Sequence, residues 1–300
     1  MKNFNDIYAE VLQSSKTELE KLRKSCLHRI VGCIVVAIIF AIVGFALDSN
    51  ILFFGIFACI ILAFILLLGP ATKYTKTYKE EVVKKFIKAY DENLEFLYEK
   101  GIPKATYREG AFENFDRYHS EDLIMGNIDG HNIMMGEVHT EREYETTDSD
   151  GHSQTQYETV FHGLFGLSEL DKSYHGMVRI HADKGLFGKI FQDKKRIEMD
   201  SSEFEKHFDV MADDKIQAMQ ILTSDIMDLM LNFLKDSKIK FELTIRNNKL
   251  YIRFKTGGMF EGNIIKSSVD FDSLKKVYDV INFTFDITRA FAKVIDETEI

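Results

Sequence analysis

Cysteine is scarce in this 300-residue chain: Cys26, Cys33 and Cys59 are the only three, and all lie in or beside two apolar blocks near its beginning. The long remainder has none, which excludes a disulfide scaffold, a thiolate metal site or a cysteine nucleophile there. Basic residues are also in deficit. Residues 91–300 carry 26 Lys and Arg against 40 Asp and Glu, a net charge of −14 within a chain total of −9. A surface that acidic repels phosphate backbones and anionic headgroups, so nucleic acid is excluded as a partner. Proline occurs twice. Pro70 marks an expected kink, and Pro103, with Gly101 and Ile102, an expected helix stop.

Charge is missing altogether from residues 30–47 and 51–69, runs of eighteen and nineteen. At 1.5 Å per residue each reaches roughly 27 Å, close to the ~30 Å hydrocarbon thickness of a bilayer. With only Asp48-Ser49-Asn50 between them, residues 30–69 read as a transmembrane helical hairpin in contact with lipid. Twelve basic residues flank the spans and none lies in the turn, an asymmetry that places both termini in the cytoplasm. Small residues recur every fourth position, Cys33, Ala37 and Ala41 in the first span and Gly55, Cys59 and Ala63 in the second. A hairpin folded at Asp48 sets Ala41 opposite Gly55, Ala37 opposite Cys59 and Cys33 opposite Ala63, a small-residue seam that lets helices approach closely.

The same register continues on both sides. Phe4, Tyr8, Leu12, Ser15, Leu19 and Leu22 mark a face of a helix over residues 1–29, and Tyr74, Tyr78, Val82, Phe86, Tyr90 and Leu94 mark one over 70–100. Pairing them in antiparallel order predicts a cytoplasmic helical stalk.

From residue 104 to 300 the pattern is that of a cytoplasmic α+β domain. Strands are expected at 122–128 and 131–145 around Asp129-Gly130, a strong hairpin signal. Others fall at 154–167, 176–182 and 195–200, and a pair at 239–246 and 249–256 turns through Asn247-Asn248. Helical periodicity occupies the 216–233 region, with Thr223-Ser224-Asp225 as a cap, and a last helix runs from Ser273 to about Asp296. The fold class is therefore α+β: an amino-terminal transmembrane hairpin with its stalk, then a mainly antiparallel sheet domain with carboxy-terminal helices.

Four blocks carry a resemblance: Leu123-Ile124-Met125-Gly126, Thr159-Val160-Phe161-His162-Gly163-Leu164-Phe165, Ser202-Glu203-Phe204-Glu205-Lys206-His207-Phe208 and Ala218-Met219-Gln220-Ile221-Leu222-Thr223. Over roughly residues 70–300 the chain resembles the bacterial DUF3137 family, a domain of unknown function. The resemblance implies a membrane-tethered bacterial protein of the cytoplasmic (inner) membrane. It brings no activity and no site residues.

No catalytic, cofactor or metal motif is legible. Eight of nine histidines fall between His119 and His207, but none form the HExxH arrangement of a zinc site; His131, His139 and His162 are the trio that neighbouring strands would bring nearest. Asp148-Ser149-Asp150-Gly151 resembles a calcium loop but lacks its first ligand and its bidentate acid. The glycines at 185 and 188 lack the spacing of a phosphate-cradling loop. A charge pattern is more informative: Glu137, His139, Glu141, Glu143 and Glu145 alternate along one strand and so share a face, with Gln154, Gln156 and Glu158 or their neighbours expected opposite. The sequence reading is a membrane-tethered interaction module that binds a basic protein partner through Glu137, Glu141, Glu143 and Glu145, with no cofactor; a homo-oligomer is compatible with it. The alternative is a membrane-associated enzyme using acidic residues on a lipid-derived or cationic substrate. The topology predicts that Ser49→Cys, in a chain otherwise free of cysteine, reacts with an impermeant thiol reagent from outside the cell. Labelling from that side of a cysteine near the carboxyl end instead overturns the orientation.

Overall fold

The structure is a computed structural model of the chain and describes residues 3–46, 50–147, 152–182, 196–265, 267 and 269–297. Asp48 and Ser49 of the expected turn, the acidic tip at 148–151 and the glycines at 185 and 188 lie outside the described residues. The chain divides into two units, Met1–Asp91 with Phe260–Leu274, and Glu92–Met259 with Lys275–Ile300.

In the first unit α1 (Phe4–Ala46) runs unbroken for 43 residues. The second helix, α2 (Asn50–Tyr78), contains Pro70 and passes through a π-helical turn at Lys79–Val83 into α3 (Lys84–Tyr90). Both α1 and α2 are long and apolar enough to cross a membrane. Their large side chains face outward: Ile42 is 63%, Phe57 67% and Phe45 85% exposed. A helix in a soluble core would hide that surface.

Beyond the apolar stretch the pattern inverts, and Phe4, Ile7, Val11, Ser15 and Leu19 of α1 are buried, as are Tyr74, Tyr78, Val82, Phe86 and Tyr90. The Phe4 and Phe86 rings lie 6.3 Å apart, and Ser15 Oγ donates to the Glu81 carbonyl at 2.6 Å. The sequence placed Tyr8 and Leu12 in this seam; the fully buried positions are Ile7 and Val11. Tyr8 instead packs on Phe271 at 5.1 Å and donates to the Val269 carbonyl.

The cause is a strip of chain at 260–271 that the sequence had assigned to the sheet domain and that packs in this unit. Arg23 donates to the Ile264 carbonyl at 3.1 Å and Tyr74 to that of Asn263 at 3.3 Å. The returning arm, expected to reach residue 100, stops at Tyr90, where Asp91 becomes extended. Leu94 and Phe96 are buried and Glu95 exposed, the period-two burial of a strand rather than a helix.

The second unit holds β1 (Leu94–Leu97), α4 (Lys104–Glu109), β2 (Arg117–Ile128), β3 (His131–Thr147), β4 (Ser153–His181), β5 (Arg196–Ile197), α5 (Ser202–His207), β6 (Asp209–Ala212), α6 (Lys215–Ile221), α7 (Ser224–Ser237) and β7 (Phe241–Phe254); α8 (Phe271–Glu297) begins in the first unit and continues in this one. Among the described residues the antiparallel sheet has seven strands in the order β1-β2-β3-β4-β6-β5, with β7 also paired to β4. Asp129 and Gly130 both have positive φ, as the tight β2–β3 turn demands. Two strands of the sequence reading, 154–167 and 176–182, are one, the 29-residue β4. Likewise the expected hairpin at Asn247-Asn248 is a single strand, β7. Asn247, at φ 55°, lies opposite Tyr174, where the register with β4 shifts. The left-handed residue absorbs a bulge there instead of reversing the chain.

Side chains of β4 alternate between two covered faces. Phe161, Phe165 and Leu167 pack with Tyr251 of β7 and with Tyr107, Phe112 and Phe115 from α4 and the loop after it. On the opposite face Phe233 of α7 stacks on Phe283 of α8 at 4.1 Å, beside Phe241 and Phe254, and the Ser168 hydroxyl oxygen lies 2.9 Å from that of Thr288. Strand β4 also comes very close to the end of β7: a Cβ on Gly163 would stand 1.9 Å from the Phe254 carbonyl oxygen. Gly163→Ala is therefore expected to lower stability by about 1–3 kcal/mol or more, read as a drop in the thermal midpoint of the detergent-solubilised protein. An unchanged midpoint shows that the close approach is not needed.

Candidate functional site

The acidic strand β3 and its partner β4 pair from Ile133 with Ser168 to Thr147 with Ser153. After Thr140 the register shifts by one residue, so Glu141, Glu143 and Glu145 face Thr159, Tyr157 and Thr155, and Gln154, Gln156 and Glu158 face Thr146, Tyr144 and Arg142. The outer ends of both strands are exposed. There the acids have company: Arg117 lies 3.9 Å from Glu141 and covers the Tyr157 ring at 3.2 Å, Tyr157 donates to Glu143, and Arg142 stands 3.8 Å from Glu158. Glu137 is not part of this exposed set. It is 5% exposed, lies opposite Glu121, and accepts from the Met259 N–H. Its alternation with Glu141 is correct, but the strand is covered at that end and bare only further along. Strand alternation reports the face and not the depth.

Of the histidines, His139 and His162 are cross-strand neighbours with rings 4.8 Å apart, while His131 bonds the Glu169 carbonyl. The trio does not converge.

On the spans, the less exposed residues of α1 include Cys33, Ala37, Phe40, Ala41 and Gly44, and those of α2 include Gly55, Ile56 and Ala63. Gly55 meets the Phe40 ring, where a Cβ would be 2.7 Å from Cδ1, so its neighbour is one residue from the expected Ala41. The side chain of Cys59 lies outside the described residues.

Sequence reasoning missed a cleft of about 1010 Å³ on the sheet face beside α4. Its floor is charged: Arg179 and His181 from β4, and Glu242, Arg253 and Lys255 from β7 and just beyond. Its walls are Arg108 of α4, residues 111–115, Arg142, and residues 158–160. Pairing of His181 with Glu242 and of Arg179 with Thr244 sets these side chains on one face.

At the centre Arg253, 5% exposed, donates through Nε and Nη2 to Glu242 at 3.2 and 2.8 Å, and through Nη1 to the Tyr107 hydroxyl at 3.0 Å and to Glu113. The Phe112 and Phe161 rings flank its guanidinium at 4.6 and 4.8 Å. Tyr107 in turn donates to Glu113 at 2.7 Å, and burial pushes its phenol up to about 12. Glu242 also takes His181 Nδ1 at 3.1 Å and lies 3.6 Å from Lys255. Burial pushes the Arg253 and Arg179 guanidinium groups down, and Glu242 opposes this at Arg179.

Of the four blocks that carry the resemblance, the three from Thr159 onward lie within the region that a family model matches, and Leu123–Gly126 lies outside it. A family model described as "Protein of unknown function (DUF3137)" matches residues 159–293. It is the family that the chain was found to resemble. The DUF3137 match takes in most of β4, all of β7 and most of α8, and hence the whole cleft floor, while the wall residues Arg108, 111–115, Arg142 and Glu158 lie outside it. No curated protein matches the chain. Among solved structures, the mycobacterial trehalose monomycolate transport factor A, TtfA, aligns with a TM-score of 0.36 and 8% identity, over 67% of this chain and 86% of that one.

Removing one partner from a buried ion cluster strands the others. Arg253→Leu leaves Glu242 and Glu113 without their shared cation and is expected to cost about 3–5 kcal/mol. Adding Glu113→Gln and Glu242→Gln to it should recover a large part of that loss. Chemical denaturation of the parent and the two variants checks this; equal stability of the single and triple variants removes the coupling.

Proposed function

We propose that the protein is a membrane-anchored interaction module. The hairpin of α1 and α2 spans the cytoplasmic membrane, both termini are cytoplasmic, and the sheet unit presents the outer end of the β3–β4 ribbon to a protein partner with a basic surface. The observation that carries the anchoring is the outward-facing apolar surface of both helices, with Phe45 at 85% exposure. In water that surface is strongly unfavourable; in lipid it is matched. Three basic residues after the second span, Lys73, Lys76 and Lys79, support the orientation.

The ribbon supports the partner reading because Glu143 and Glu145 are exposed, Glu141 is half-buried, and the ladder is bare on both faces there. Ribbon charges act chiefly on association rate and salt dependence, since exposed pairs contribute only about 0–1 kcal/mol to folding. The enzyme reading with a cationic substrate finds no support in the cleft, where Glu113 and Glu242 are both engaged with Arg253.

Site-specific photocrosslinking from position 144 in native membranes tests the ribbon. The expected outcome is a crosslinked protein product that fades with rising salt and in Glu141→Gln/Glu143→Gln/Glu145→Gln, while the melting midpoint stays the same. An identical product pattern in parent and variant removes the acidic ribbon from the function.

A further inference from the structure

The cleft carries a second reading that does not depend on the ribbon. Its lining holds five cationic side chains, Arg108, Arg142, Arg179, Arg253 and Lys255, against three carboxylates, Glu113, Glu158 and Glu242. This excess of positive charge stands in a part of the chain whose net charge is −14 over residues 91–300. Each carboxylate already has cationic company: Glu113 and Glu242 serve Arg253, Glu242 also serves His181 and Lys255, and Glu158 faces Arg142.

Arg179 is 9% exposed, and its Nε is buried without a hydrogen-bond partner among the described residues; the same holds for Nε2 of His181. The two residues are two positions apart and so share a face of β4, and both line the cleft. A buried guanidinium with an unmet donor is costly. An ionised oxyanion would meet it, because the planar fork of arginine matches carboxylate and phosphate oxygens. The Phe112 and Phe115 side chains in the wall add apolar surface, so the cleft suits an organic body bearing the anion rather than a bare ion.

From this we infer that the cleft is a binding site for an anionic small molecule carrying a phosphate or carboxylate group, with Arg179 and His181 receiving the oxyanion. Arg253 is the supporting charge, held in place by Glu242 and Glu113. Glu242 also orients His181 through Nδ1, which leaves Nε2 as the ring nitrogen without a partner among the described residues.

The test uses the full chain in nanodiscs, with inorganic phosphate, a phosphate monoester and citrate as probes at constant ionic strength, and saturable thermal stabilisation as the readout. The parent is expected to be stabilised by at least one probe. In Arg179→Met the apparent affinity should fall about tenfold or more, with Arg179→Lys intermediate. The melting midpoint of unliganded Arg179→Met should be equal to or above the parent's, because an uncompensated buried cation has been removed; this separates lost binding from lost folding. Nanodiscs of anionic and of zwitterionic lipid distinguish the sources: competition from the anionic lipid identifies a headgroup as ligand, and equal titrations identify a soluble one. Absence of saturable stabilisation by every probe in both lipids, or an undiminished response in Arg179→Met, overturns the proposal. Loss of the ribbon crosslink leaves these titrations unaffected, so the two readings fail separately.

Discussion

A full positive charge at Arg253 is held out of water in the middle of the sheet unit, and the surrounding chain is arranged to keep it there. Its guanidinium donates to Glu242 on the same strand, to Tyr107 on α4 and to Glu113 in the loop after α4. Those contacts tie β7 to a segment about 140 residues earlier. Because the charge needs acceptors in particular directions, the loop that carries Glu113 and Phe112 has little freedom to slide across the sheet. A purely apolar cover would have tolerated more rearrangement.

The two faces of the sheet are consequently different in kind. Under α7 and α8 the contacts are phenylalanine on phenylalanine, with Thr284 and Thr288 directing their hydroxyls to helix carbonyls one turn back. On the other face an aromatic cluster around Tyr107 gives way to the charged cleft floor. The apolar packing contributes stability with little directional demand, whereas the ionic floor contributes geometry at a desolvation cost that its partners offset. Arg179 and His181 stand where that compensation is least complete.

In the first unit the governing feature is a change of character along single helices. One stretch of α1 displays large aliphatic side chains outward, and another buries a seam of Phe4, Ile7, Val11 and Leu19. The same helix thus carries an outward apolar surface and a packed seam in succession. The strip at 260–271 closes that seam by backbone carbonyls that accept from Arg23, Tyr74 and Tyr8.

The features that depend on local periodicity and charge were legible in the sequence. Uncharged runs of eighteen and nineteen residues identified the apolar helices, Asp129-Gly130 identified a turn, and Thr223 identified a helix cap that does accept from the Ile226 N–H. What the sequence misread were choices between local alternatives of similar energy: Asn247 permits a turn or a bulge, and residues 91–100 permit a further helical turn or a strand. Pairing with β4 and β2 decided both. The cleft was invisible for a different reason. Arg179, Glu242, Arg253 and Glu113 are separated by tens of residues and have no shared spacing, and only the register of β7 on β4, with α4 laid across them, brings the charges within bonding distance. Sequence alone determined which segments are apolar, helical or extended, since those preferences act over a few residues. Tertiary structure decided which charges meet, because a buried ion pair forms only where two distant backbones are already held in place.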